Sequence, residues 1–296
     1  MDAIRVLAKR ASFVESVHTV HAVAVQDGAV VAELGDAWFS ASLRSAAKPF
    51  QALPLVRSRD DLDDADIAIA SASHRARPEQ IEAVRRLLAK APATEDDLEV
   101  GPQEGRPPKP IYHNCSGKHA GMLATCRARG WPTAGYRLAG HPLQREIRGE
   151  IAAAAAVDEE ELVTGVDGCG VVCFAVPLER VAFMFAQLEG RPGGVRVAAA
   201  MREHPALVGG SGRVDTDLME ALPGWIAKVG AEGLLGAAGP DRLGVALKTA
   251  DGSFRALRPA LPRLFAALGQ ELDHAFARAP VRNSRGEEVG ELIAES

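Results

Sequence analysis

The stretch "VHAVAVQDGAVVAEL", residues 20–34, sets two valine-rich runs on either side of Gln26-Asp27-Gly28. Asp-Gly between β-branched runs signals a tight hairpin, because the turn needs residues that accept positive φ. An antiparallel hairpin is therefore expected near the start of the chain. Strand patterns return near the other end, over 226–237, 244–249 and 253–257, the last two joined at Asp251-Gly252. A closing hairpin reads over 281–293, around Ser284-Arg285-Gly286. Between these ends the pattern turns helical. Helices are expected over 45–56, 78–89, 143–157, 178–188, 195–203 and 258–272. Another should run from an N-cap at Asn114 to Arg129, stopped by Gly130 and Pro132. Residues 171–176 read as a strand; 95–110 and Gly209-Gly210-Ser211-Gly212 read as loops. Strands early and late with helices between give an α+β fold: an antiparallel sheet built from both chain ends with an inserted helical cluster. The chain, 1–296, is expected to be a single unit, with its helical part at roughly 45–210.

Composition narrows the functional classes. The chain has 296 residues, 47% apolar and 25% charged, with a net charge of -5, which is ordinary for a globular protein. Acids and bases are mixed, and no basic patch is interleaved with aromatics, so nucleic acid is not an expected partner. No membrane span is expected: Glu179 and Arg180 interrupt the most apolar run, 171–188. The opening Met1-Asp2-Ala3-Ile4-Arg5 has no secretory pattern. The four cysteines, Cys115, Cys126, Cys169 and Cys173, therefore read as thiols or ligands rather than disulfides, and the expected location is the cytoplasm.

Four stretches carry side chains able to do chemistry. In Ser45-Ala46-Ala47-Lys48, helical spacing lets Lys48 reach the Ser45 hydroxyl. A serine needs a base to become a nucleophile, and an amine serves only if burial or a second cation lowers its pKa. Taken alone, the motif also suits a helix start with an exposed lysine. Lys228-Val229-Gly230 offers a second lysine on a strand, as in penicillin-recognising serine enzymes; Lys248-Thr249-Ala250 is a rival that lacks the glycine. In Ser71-Ala72-Ser73-His74, Ser73 can relay a proton or donate to an oxyanion, or simply cap the next helix. Finally, "HNCSGKHAGML", residues 113–123, and Val166-Asp167-Gly168-Cys169-Gly170 place thiols beside other donors. Chemistry alone selects Cys115, Cys169, Asp167 and either His113 or His119 as metal ligands, since thiolates and imidazoles suit zinc. Two buried cysteines acting as small hydrophobes are the plainer alternative. Cys126 and Cys173 read as core.

Together these pieces resemble the rhizobial-type (class 3) L-asparaginases of the asparaginase II family. The resemblance rests on Arg44-Ser45-Ala46-Ala47-Lys48-Pro49-Phe50-Gln51, Ala72-Ser73-His74 and His113-Asn114-Cys115-Ser116-Gly117-Lys118-His119-Ala120-Gly121-Met122. It continues through Asp167-Gly168-Cys169, His204-Pro205, Arg213-Val214-Asp215-Thr216 and Lys228-Val229-Gly230-Ala231-Glu232-Gly233. It implies a fold like that of serine β-lactamases, penicillin-binding proteins and glutaminases. It implies hydrolysis of L-asparagine to L-aspartate and ammonia, with Ser45 as nucleophile, Lys48 and Lys228 as flanking amines that lower each other's pKa, and Ser73 as the second serine. It also implies zinc (Zn2+) on Cys115, Lys118, Asp167 and Cys169, substrate contacts from Arg44, His119 and Asp167, and a homodimer. The chain is shorter than many members, apparently between Ser73 and His113 and between Cys169 and Lys228. Rival expectations are a glutaminase, esterase or penicillin-type hydrolase on the same fold, or a non-catalytic protein that binds zinc or an amino acid.

Overall fold

Strand β1 (Ile4–Arg10) was not expected from the sequence, yet it lies inside the main sheet. The computed structural model describes residues 1–295. The remaining strands are β2 (Phe13–Gln26), β3 (Ala29–Leu34), β4 (Ser40–Ser42), β5 (Val163–Val166), β6 (Val172–Pro177), β7 (Ile226–Gly230), β8 (Leu234–Ala238), β9 (Leu243–Thr249), β10 (Arg278–Arg282) and β11 (Glu288–Ala294). The chain divides into two compact units: residues 1–46, 176–186 and 229 onward, and residues 47–175 with 187–228.

The first unit holds the antiparallel sheet, in the order β10-β11-β1-β2-β9-β8-β7, with β3 branching from β2. Both chain ends build it, as expected. Val6 pairs with Ala294 on one side and with His18 on the other. The hairpin at residues 20–34 is the β2–β3 turn, where Asp27 and Gly28 both take positive φ, 49° and 84°. Strands β8 and β9 are buried along their whole length, as strands covered on both faces must be. Helix Leu178–Gln187 supplies part of that cover, with the Phe185 ring over Gly236. Helix Leu257–Ala267 packs on β1, β2, β9 and β11.

Two strand assignments change. Residues 226–237 form two strands, because Glu232 and Gly233 turn the chain at φ 59° and 66°. Residues 253–257 are not a strand; Asp251 Oδ1 accepts the Ser253 N–H at 2.9 Å, and a 3-10 turn, Phe254–Ala256, feeds the following helix. Such a side-chain turn draws backbone groups away from a ladder.

The second unit is helical around Asp64–Ala70, which packs against Pro78–Lys90, Ser116–Arg129 and Gly194–Glu203. Its small apolar residues allow close approach. A reciprocal cap starts it: Asp63 Oδ1 accepts the Asp66 N–H, and Asp66 Oδ2 accepts the Asp63 N–H. Asp66 is fully buried and ion-paired with Arg86 and Lys90. The helix expected over 45–56 is broken into a 3-10 turn, Arg44–Ala47, and helices Lys48–Gln51 and Leu53–Ser58. Pro49 and Pro54 each remove an N–H from the ladder. Helix Ser116–Arg129 begins one step later than expected: Cys115, not Asn114, is the N-cap, and Asn114 Oδ1 accepts the Cys115 thiol at 3.2 Å. Gly130 ends it in the left-handed conformation, as read.

Candidate functional site

The C-terminus of helix Asp64–Ala70 delivers Ala72 and Ser73 to a buried amine. Lys48 has no exposed surface, and its Nζ donates to the Ala72 carbonyl at 2.6 Å and to Ser73 Oγ at 2.9 Å. Burial lowers its pKa; the nearby Cys115 thiol opposes this, and the Lys118 charge adds to it. Ser73 is fixed from behind, its N–H donating to the Val208 carbonyl at 2.8 Å. Ser45 stands half-buried on the 3-10 turn that runs into the Lys48 helix. The residue before it, Arg44, has φ 43°, a strained conformation for a side chain of that size.

His74, beside Ser73, is not a base. Its Nδ1 accepts the Ala76 N–H at 3.1 Å, so its proton is on Nε2. That Nε2–H donates to Ser116 Oγ at 2.8 Å, while the Ser116 hydroxyl donates to the Ile111 carbonyl. Both ring nitrogens are committed, and burial pushes the imidazole down to about 3. The ring is neutral and structural.

Strand β7 supplies Lys228, fully buried, with Nζ 3.3 Å from Asp215 Oδ2. Burial pushes its pKa down to about 7 against the pull of Asp215, and the charges of Arg213 and Lys48 push the same way as burial. Lys48 is the lesser of the two charges that add to burial on Lys228, whereas on Lys48 burial and the thiol–lysine cluster dominate. The rival Lys248 spends its Nζ on the Glu232 and Thr249 carbonyls, both at 2.6 Å. Gly230 lies two residues beyond Lys228 on the same strand. A Cβ there would lie 2.5 Å from the Leu43 carbonyl oxygen, so close packing of the chain on itself already requires glycine.

The thiols form a second cluster in the same unit. Cys115 and Cys169 are buried and reduced, and their side chains are hydrogen-bonded to each other. This bond, aided by Lys48 and Lys118, holds Cys115 well below the usual thiol range against burial, and it pushes Cys169 up. Lys118 Nζ lies 3.0 Å from Cys169 Sγ. Burial favours a neutral Lys118, but Cys169, Cys115 and Asp167 outweigh it and keep the amine charged. Asp167 sits on the β5–β6 turn, its Oδ1 accepting the Gly168 N–H at 2.6 Å. Among the described residues, no three His, Cys, Asp or Glu side chains lie close enough together to hold a metal. Two neighbouring thiols, one favouring the thiolate, beside Lys118 nonetheless have the donor chemistry of a soft-metal site once metal displaces the lysine proton. The Asp167 carboxylate is close enough for its charge to act on both Lys118 and Cys169. His113 lies beside the cluster: its Nδ1 accepts the Cys115 N–H at 3.0 Å, and its ring also helps to lower the Cys115 pKa.

His119 is fully buried. Tyr136 OH accepts the Glu99 N–H, so its own proton goes to His119 Nδ1 at 2.7 Å. The imidazole, held neutral by burial, keeps its proton on Nε2, and Nε2 has no partner among the described residues. A buried donor left open is costly, about 1–3 kcal/mol, which is the signature of a place where a polar ligand or water belongs.

Asp215, Tyr136 and Ser116 were given no role in the sequence reading. Asp215 was visible within Arg213-Val214-Asp215-Thr216, but nothing local revealed that it would face Lys228.

Comparison with known proteins follows this geometry. A solved structure titled as Mglu in its native form superposes with a TM-score of 0.52, at 16% identity, over 86% of this chain and 65% of that one. At that identity the likeness establishes a shared fold, and this chain spans only about 65% of Mglu's length. A Bacillus glutaminase (14% identity, 78% of this chain and 83% of that one covered, TM-score 0.35) superposes too loosely to support an argument. The same holds for a β-lactamase from Mycobacterium bovis (15% identity, 79% and 88% covered, TM-score 0.33). No curated protein matches the chain. No helix among the described residues is long and apolar enough to cross a membrane. A family model described as L-asparaginase II matches residues 6–294, nearly the whole sequence, and the chain therefore belongs to the L-asparaginase II family.

Proposed function

We propose that the protein is an amidohydrolase that converts L-asparagine to L-aspartate and ammonia, with Ser45 as nucleophile. The observation that carries this reading is the pair of buried amines. Lys48 donates to Ser73 at 2.9 Å, and Lys228 is held near 7, where an amine is half neutral at physiological pH. Family membership supports the reaction class.

In the proposed sequence a neutral lysine takes the Ser45 proton, directly or through the Ser73 hydroxyl. A positioned base contributes about 10²–10⁴ in rate. Ser45 Oγ bonds to the side-chain amide carbon, the C–N bond breaks, and the proton leaves with ammonia. Water then cleaves the acyl-enzyme, releasing L-aspartate and restoring the serine. His119 Nε2–H, which lacks a protein partner, is offered to a substrate oxygen. Arg44 and Asp167 are assigned to substrate contacts on the family resemblance. Zinc is assigned to Cys115, Cys169, Lys118 and Asp167; when bound it supplies a fixed positive charge that orients substrate. A homodimer in the cytoplasm completes the proposal.

The test is ammonia release from asparagine, with glutamine and nitrocefin as competitors. Turnover of asparagine that disappears in Ser45→Ala supports the reading. Faster turnover of glutamine or nitrocefin makes the enzyme a glutaminase or a penicillin-type hydrolase. Binding of asparagine without ammonia release leaves a binding protein.

A further inference from the structure

Three arginines meet on the segment that carries Ser73. The loop following helix Pro205–Val208 lies against this segment: Val208 holds the Ser73 N–H, and buried Gln80 bridges the two strands of chain. Gln80 Oε1 accepts the Arg75 N–H at 2.8 Å, and its Nε2 donates to the Ala206 carbonyl at 3.0 Å. A Cβ at Gly210 would lie 3.3 Å from Arg75 Cδ, so the Arg75 stem runs along the loop that ends in Arg213. From a third loop, Arg106 donates to the Tyr112 carbonyl at 2.7 Å and to the His74 carbonyl at 3.1 Å.

Their charges are poorly matched. Asp215 faces Arg213 at 3.5 Å, but Lys228 already shares it at 3.3 Å. The Arg75 guanidinium has neither an ion pair nor a hydrogen bond among the described residues. After burial, Arg213 is the strongest influence that depresses Arg75, and it depresses Arg106 as well. Other guanidiniums of this unit that reach inward are given acids in two cases: Arg57 has Glu146 and Glu150, and Arg86 has Asp63 and Asp66. Here Arg213 and Lys228 share the Asp215 carboxylate, and the Arg75 and Arg106 guanidiniums feel the Arg213 charge. Such an arrangement invites an anion, and planar guanidiniums suit a carboxylate's paired oxygens.

We propose that Arg75 and Arg213, braced by Arg106, form the subsite that takes the free carboxylate of the substrate. This deepens the asparaginase reading and rests on it. Arg75 stands exposed at the outer edge, where it also draws anions inward.

The test compares the wild-type chain with Arg75→Ser and Arg75→Lys, on L-asparagine and on its neutral carboxamide analogue, L-asparaginamide. Losing a charge-assisted bond typically costs about tenfold or more. KM for asparagine should rise about tenfold in Arg75→Ser with kcat within about twofold. The preference for asparagine over asparaginamide should narrow by a similar factor, and Arg75→Lys should recover part of it. An unchanged KM, or an equal loss on both substrates, overturns the proposal. Calorimetric titration with L-aspartate separates this failure from failure of the asparaginase reading. If the wild type releases no ammonia, weaker aspartate binding by Arg75→Ser still upholds the subsite. Equal binding, or none to the wild type, overturns it.

Discussion

Lys228 loses its whole hydration shell, and Asp215, 3.3 Å away, restores only part of the lost charge stabilisation. The amine is therefore half neutral near 7, where an ordinary lysine is neutral in only about one part in several thousand. If the neutral form is the base, kcat/KM rises about tenfold per pH unit below 7 and levels off above it. Asp215 raises the lysine's pKa, so Asp215→Asn should move this acid limb to lower pH; a pH–rate profile of both proteins measures the shift. A limb that stays in place assigns the base to another group. The thiols lead to a different outcome. Cys115→Ser removes a sulfur that touches Cys169 and should reduce bound zinc, measured by atomic emission. It should raise KM more than it lowers kcat, because the metal is assigned to orientation and not to a chemical step. Both predictions concern residues whose types were readable in the sequence. Their partners were not: Asp215 and Tyr136 gain their meaning only when separate elements bring them to Lys228 and His119.

At the scale of elements, helix Ser116–Arg129 carries Lys118 and His119 into the interior only because it can lie directly on helix Asp64–Ala70. Gly117 makes that possible: a Cβ there would fall 2.2 Å from the Ile69 carbonyl oxygen. Gly117→Ala should therefore destabilise the protein by about 1–3 kcal/mol, despite alanine's better helix propensity. Urea unfolding decides it; a stabilised variant would mean that the two helices separate freely. Element types were legible where periodicity was long, as in Pro78–Lys90 and Gly194–Glu203. They were misread where turn chemistry was unusual. Glu232-Gly233 reverses the chain without Asn or Asp, so two strands looked like one. The Asp251 side-chain turn made a helix entry resemble a strand. Strand β1 escaped notice because charged Arg5, Lys9 and Arg10 break its apolar pattern.

For the whole molecule, the α+β character was legible because hairpin signals stand near both ends of the sequence. The chain enters the sheet unit in separate segments, with the helical unit drawn from the residues between them. The closing hairpin β10–β11 covers β1, and Leu292 is buried where it pairs with Ala8. A chain cut after Ala277 leaves β1 as an uncovered edge, which is a template for pairing with other chains. It should show a lower Tm and self-association on a sizing column; an unaltered, equally stable species would make the hairpin dispensable.

The pairing of Val6 with Ala294 also has a consequence for biosynthesis. Strand β1 receives β11 as its second neighbour only after the long stretch between them has been made. At about 5–20 residues per second, that wait lasts on the order of 15–60 s. Throughout it one side of β1 lacks its partner strand, so chains released during the wait should aggregate more readily than chains released after β11 is made.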